Sequence, residues 1–377
     1  MTNPLLELGA AGQSIWLDYL HRDILENGEL ARLIERDGLK GLTSNPTIFE
    51  KAIGEGDAYD ERIETLVRGG ETDPRALFER IAVADIQAAA DIFRPTYDAL
   101  GGRDGFVSLE VSPRLAFDTD GTVAEARRLW RLVNRPNVMI KVPGTEPGVP
   151  AIRQLVGEGI NINVTLLFGI DLYLAVAEAH TAGLEALKAS GGDVSKVQGV
   201  ASFFVSRIDT QIDRKIDARL KDAQAEEAAR LQAIRGKVAI ANAKQAYQRY
   251  LDLVATPRWR ALAEAGAAPQ RLLWASTGVK DPTFPETLYV EALVGPDTID
   301  TMPPKTLDAM RDHGQVRPTL AGDPAGAREV LAEAERLGLD LAGVTKALID
   351  DGVALFAKSY EELRAAVTKK ASACSSA

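Results

Sequence analysis

The chain has 377 residues, 46% hydrophobic and 26% charged, which is the balance of a globular protein with room for one large domain or two ordinary ones. A net charge of −10 argues against nucleic acid or an anionic membrane surface as partner. No apolar run approaches the roughly 18 residues of a membrane helix, and a single cysteine, Cys374, with three dispersed histidines, argues against disulfides and Cys- or His-built metal sites.

In chain order, the opening "MTNPLLELGAAGQS" lacks a basic region followed by an apolar core, so it does not read as a secretory leader. A cytoplasmic, metal-independent protein is expected. Short apolar runs then recur, bounded by Gly, Pro or Asn, as buried strands are. They are "SIWLDY" (14–19), "GLTSN" (41–45), "GFVSLEV" (105–111), "NVMIKVP" (137–143), "GININVTLLF" (159–168), "KVQGVASFFV" (196–205), "RLLWAS" (271–276) and "DTIDTMP" (297–303). Helical periodicity fills the gaps. In "SRIDTQIDRKIDARL", Ile208, Ile212, Ile216 and Leu220 form one apolar stripe, and "DPRALFERIAVADIQAAADIF" and "VAEARRLWRLV" have a similar pattern.

Strands alternating with helices predict a parallel sheet, since parallel neighbours need a crossover. Eight of them predict an α/β fold, a (β/α)8 TIM barrel with additional helices. Such a barrel takes about 250 residues, and the surplus falls in helix-rich stretches at 47–100, 213–264 and 304–370. The open doubly-wound sheet is the rival, but no Gly-x-Gly-x-x-Gly follows the first strand. Residues 1–370 read as one domain and 371–377 as a flexible tail.

Residues two apart on a strand share a face, and this rule gathers polar groups near the C-terminal ends of successive strands. They are Asp18, Thr43 with Asn45, Glu110, Lys141, Asn163 with Thr165, Ser202 with Phe204, then Arg207 and Ser276. Each has a bland reading. Asp18 could cap a helix, Asn45 before Pro46 could be turn chemistry, and Lys141 could be a structural partner of Glu110. Their shared position, on the rim where barrel active sites are built, favours chemistry.

Lys141 sits within an apolar run, where burial favours the neutral amine. A neutral amine attacks a carbonyl to give an imine, and the protonated imine is an electron sink for breaking a neighbouring C–C bond. That chemistry needs acid–base groups, and Asp18 and Glu110 are carboxylates of the required kind. Asn45 and Asn163 can bond substrate hydroxyls. Arg207, Ser276 and Lys280 can hold a phosphate. A pyridoxal-phosphate enzyme also uses a lysine imine, but no glycine-rich phosphate cup with a pyridine partner stands out, so no cofactor is expected.

The motifs "GLTSNPTIF", "LEVSPRLAFDT", "MIKVPGTEPGVPAI", "INVTLLF", "FFVSRID" and "WASTGVKDPTFPETLYVEALVGPDTIDTMP", in that order, resemble the transaldolase family, in its longer bacterial-type branch. The resemblance implies a Schiff base on Lys141 in the fourth strand and Asp18 as acid and base for the C4 hydroxyl. It gives Glu110 and Thr165 the catalytic water. Asn45, Asn163 and Ser202 fall at the dihydroxyacetone moiety, with Phe204 a transaldolase residue type at its position. Arg207 and Ser276 fall at the sugar phosphate. Gly278 stands where many members carry an arginine, and Lys280 is the candidate replacement. The implied partners are sugar phosphates of the pentose phosphate pathway, and a homodimer is a candidate assembly. Fructose 6-phosphate aldolases share the lysine but match less well at Glu110 and Phe204. A catalytically silent barrel is the alternative from another class.

Overall fold

The computed structural model describes residues 3–374. All eight predicted strands form: β1 (Gln13–Leu17), β2 (Gly41–Thr43), β3 (Phe106–Glu110), β4 (Val138–Pro143), β5 (Ile162–Leu167), β6 (Gly199–Phe204), β7 (Arg271–Ala275) and β8 (Thr298–Met302). Every neighbouring pair is parallel and β8 pairs with β1, so the sheet closes into a barrel ringed by helices. The open-sheet alternative is thereby removed. The "SRIDTQIDRKIDARL" segment is the helix Ser206–Leu220, with Ile208, Ile212 and Ile216 buried as its period of four requires.

The register sets what lies inside the barrel. Paired residues of parallel neighbours face the same side, and Glu110, Lys141 and Asn163 fall in one row across β3, β4 and β5. Ser108 pairs with Met139 one layer below, so Met139 shares the inward face with Lys141, while Val138, Ile140 and Val142 turn outward to the helices. On the first two strands Trp16 is level with Gly41. A Cβ on Gly41 would come within 2.4 Å of the indole, so only glycine leaves room for Trp16 to fill the barrel there.

The N-terminal end is closed by a bonded charge cluster. Asp104 accepts from Trp16 Nε1 at 2.9 Å, from Arg271 Nη1 at 3.2 Å and from Ser14 Oγ. The opposite end is partly covered by the long helix Leu341–Cys374, which packs on the helix Pro46–Gly54. Gly352 lets the same helix lie close over the end of β5, because a Cβ there would meet a Leu166 methyl at 2.8 Å.

That helix corrects the expected tail at its near end: residues 371–374 continue it, and 375–377 lie outside the described residues. Lys370 fastens the last turns by donating to Gly56 O at 2.8 Å and pairing with Asp60. Among the described residues no helix is long and apolar enough to cross a membrane, and no group of three or more His, Cys, Asp or Glu is placed to hold a metal ion.

Candidate active site

Lys141 is central to the site. Its side chain is 4% exposed, and its Nζ donates to Ser44 O at 3.1 Å and lies 3.3 Å from Glu110 Oε2. The Phe356 ring, carried by the C-terminal helix, stands 6.0 Å from the same nitrogen. An ammonium has three donors; one is taken by Ser44 O, and Glu110 is an ion-pair partner whose oxygens have no hydrogen bond among the described residues.

Asp18 follows β1 directly. Its backbone N–H extends the ladder to Met302 O at 2.8 Å, which fixes the residue at the rim. Its carboxylate accepts from Thr43 Oγ1 at 2.8 Å, and that hydroxyl also meets Thr301 Oγ1 at 2.8 Å. Burial pushes the Asp18 carboxyl above the usual range, against the pull of Lys141, Thr43, Arg207 and Lys280. Glu110 is also raised by burial, opposed by Lys141 and reinforced by the Asp18 charge. Both groups are therefore shifted toward the protonated state that a general acid needs.

Asp18 and Lys141 border a cavity of about 160 Å³, lined also by Thr165, Arg207, Lys280 and Phe356 among others. Thr165 Oγ1 is buried with no hydrogen-bond partner among the described residues. Asn45, Ser202, Phe204 and Ser276 also reach the cavity. Asn45 caps the helix that follows it, its Oδ1 accepting from Ile48 N–H at 3.0 Å, so the turn reading and the site position both hold. Arg207 lies in the first turn after β6, with its guanidinium 5.0 Å from the Phe204 ring centre. Ser276 takes a left-handed φ of 57° just past β7, and its hydroxyl lies 2.9 Å from Ser206 Oγ.

Two residues are placed differently from a simple inward ring. Asn163 is fully buried and does not line the cavity; its amide donates to Ser108 Oγ at 3.0 Å and accepts from Ser202 Oγ at 2.7 Å. It lies level with Lys141 in the barrel and fixes the Ser202 hydroxyl. Glu110 reaches Lys141, yet lines a separate space behind β3. At the other end, Gly278 and Lys280 both border the cavity, and a Cβ on Gly278 would press first on Thr306 and Pro303, at 3.3 and 3.4 Å. Lys280 also borders an outer cleft of about 530 Å³ with Pro303 and Lys305, so it stands between the two spaces, while Arg207 lines the inner cavity alone of the two.

The sequence reading missed Phe356, Thr301, and the carbonyl of Ser44. Thr301 carried a usable signal, because it sits two residues before Pro303 on the inward face of β8. Phe356 carried none, being an ordinary apolar position on a helix.

Fold and site together define a (β/α)8-barrel protein with a buried lysine between two carboxylates at the C-terminal mouth. The chain belongs to the transaldolase/fructose-6-phosphate aldolase family, whose model it matches over residues 15–367. It is 51% identical to the transaldolase of Thermobifida fusca over 364 residues, covering 96% of this chain and 97% of that one. It is 51% identical to transaldolase 1 of Streptomyces coelicolor, covering 97% of this chain and 94% of the relative. It is 46% identical to transaldolase 2 of a Nostoc species, with 96% of each chain covered.

Proposed function

We propose that this chain is a transaldolase, moving a dihydroxyacetone unit from sedoheptulose 7-phosphate or fructose 6-phosphate to an aldose phosphate. The observation that carries this reading is Lys141, buried and inward-facing, with Asp18 and Thr165 on the same cavity and Glu110 in contact behind it. Lys141 attacks C2 of the ketose, water leaves, and a protonated imine forms. Asp18 takes the C4 hydroxyl proton, the C3–C4 bond breaks, and its electron pair moves onto the imine to give an enamine. The aldose phosphate departs past Arg207 and Lys280, whose charges suit its phosphate. A second aldose phosphate enters, the enamine attacks its carbonyl, and Asp18 returns the proton. Hydration of the new imine, with Glu110 and Thr165 handling the water, releases product. No metal or organic cofactor has a step in this scheme, because the imine itself is the electron sink.

Phe356 favours a transferase over a plain aldolase. A ring 6.0 Å above the amine limits water at the enamine, whose protonation would release free dihydroxyacetone. The net charge of −10 and the phosphorylated substrates fit a cytoplasmic enzyme. The test is incubation with fructose 6-phosphate and borohydride, followed by peptide mass analysis. A three-carbon adduct on Lys141 is expected; its absence, or full activity in Lys141→Ala, ends the proposal. Product formed equally fast without an acceptor would instead mark an aldolase.

A further inference from the structure

Asp300 is a carboxyl where an apolar residue would ordinarily sit. It lies in the middle of β8, where Thr301 pairs with Trp16, bonds Thr43 and faces the barrel interior. Alternation therefore turns Asp300 the other way, into the layer between the sheet and the helices. The residue is fully buried, its Oδ2 has no hydrogen-bond partner among the described residues, and burial pushes the carboxyl up to about 8. A buried polar group left half bonded is costly and calls for a reason. The one bond its side chain makes points to that reason: Oδ1 accepts from Thr277 Oγ1 at 2.9 Å.

Thr277 belongs to the loop after β7 that also carries Ser276, Gly278 and Lys280. Those three border the cavity at Lys141, whereas Thr277 is fully buried and does not. Ser276 has a left-handed φ of 57°, which a residue with a side chain keeps only where its neighbours hold it. On one side the hold is Ser206, whose N–H donates to Ser276 O at 3.1 Å and whose hydroxyl lies 2.9 Å from that of Ser276. On the other side it is Thr277. The Thr277 hydroxyl has a single proton, and its alternative acceptor, Thr301 O, stands off at 3.5 Å. Asp300 thus fixes the Thr277 side chain, and with it the path of the chain from Ser276 toward Lys280. The same loop rests on the segment that leaves β8, since a Cβ on Gly278 would press on Thr306 and Pro303.

We propose that Asp300 sets the preference for phosphorylated substrates, by holding through Thr277 the loop whose Ser276 and Lys280 receive the phosphate. The inference rests on the transaldolase reading above and deepens it at the phosphate. Asp300 touches no substrate, so it is a positioning residue. Charge-assisted bonds to a phosphate depend on distance and direction. A loop released from Asp300 loosens the phosphate, while Lys141 and Asp18, carried on other strands, keep their places. The loss therefore falls on phosphate recognition and not on carbon–carbon chemistry. At neutral pH the acting form is the neutral acid: Oδ1 accepts from Thr277 and Oδ2 keeps the proton. Asparagine reproduces that acceptor.

The experiment compares erythrose 4-phosphate with erythrose as acceptors, fructose 6-phosphate being the donor. In a ping-pong reaction kcat/KM for the acceptor does not depend on the donor, so the ratio of the two values isolates the phosphate. In Asp300→Leu the value for erythrose 4-phosphate should fall about tenfold, through KM, with the value for erythrose within about twofold of the parent. Asp300→Asn should keep the parental ratio. Thr277→Val should show the same phosphate-specific fall, and adding Asp300→Leu to it should cost nothing more, because both changes break one bond. A parental ratio in Asp300→Leu and Thr277→Val overturns the proposal. So does an equal loss with both acceptors, an additive loss in the double variant, or a loss in Asp300→Asn as large as in Asp300→Leu. Thr277→Val decides alone if Asp300→Leu does not fold. A parent that forms no borohydride adduct with fructose 6-phosphate fails the transaldolase reading instead, and the two failures are distinct.

Discussion

The two ends of this barrel contain similar ingredients, a buried carboxylate facing a cation, arranged to opposite effect. At the N-terminal end Asp104 is fully bonded to Arg271, Trp16 and Ser14. At the C-terminal end Glu110 meets only Lys141, at 3.3 Å, and Thr165 Oγ1 has no partner among the described residues. A satisfied buried network fixes one structure. An unsatisfied one keeps donors and acceptors in reserve for a substrate and its water, and the fold bears the cost. The strand direction explains the assignment: residues opening a strand are held by the barrel floor, while those ending one meet the loops that face a ligand.

The largest test of this contrast is Lys141→Ala, expected to lower transfer by about 10⁴-fold, or some 5–6 kcal/mol of barrier. Stability should change little, because Glu110 can take up a proton once its cation is gone. Coupled assays and urea unfolding on the same preparation read both. Asp104→Ala should do the reverse. It removes the charged acceptor shared by Arg271, Trp16 and Ser14 and should cost about 1.5–3 kcal/mol of stability, with kcat of the folded enzyme retained. A large kcat loss without destabilisation would erase the distinction between the two ends.

Asp300 sharpens the contrast with an intermediate case. It is fully buried on β8, its only hydrogen bond among the described residues comes from Thr277 Oγ1 at 2.9 Å, and burial pushes its carboxyl up to about 8. The folded state therefore prefers it protonated. The stability carried by that proton is full below about pH 4, the unfolded carboxylate range, and is lost as pH rises toward 8. Asparagine has no proton to lose, so Asp300→Asn should gain on the parent by at most about 1.4 kcal/mol per pH unit across that window. Thermal unfolding between pH 5 and 8 checks this, and a gap that stays constant with pH would contradict it. The smallest expected effect is Thr165→Val: about tenfold in kcat, or 1.4 kcal/mol, with stability held because the lost hydroxyl has no protein partner. A loss that appears in stability instead would make Thr165 part of the framework.

Much of this molecule was legible in the chain. The barrel could be read because each strand is a short apolar run with its own punctuation, and "NVMIKVP" showed a lysine where burial is costly. The two-residue period then placed Asp18, Thr165, Ser202 and Phe204 on one cavity. It placed Asn163 on the inward face level with Lys141, where its amide bonds Ser108 and Ser202. Asn45 was legible as turn chemistry and as a rim residue; it caps its helix and borders the cavity.

What the sequence determined by itself is local: strand periods, helix stripes, and the chemical character of residues that do not belong in an apolar run. What only the tertiary structure decided is which distant parts meet. Phe356 comes to Lys141 from 215 positions further along the chain, and Lys280 and Arg207 come from different strands' loops to border one cavity. Contacts of this kind depend on barrel closure and on how helices cross its mouth. Those are set by packing summed over the whole chain, and no short stretch of sequence records it.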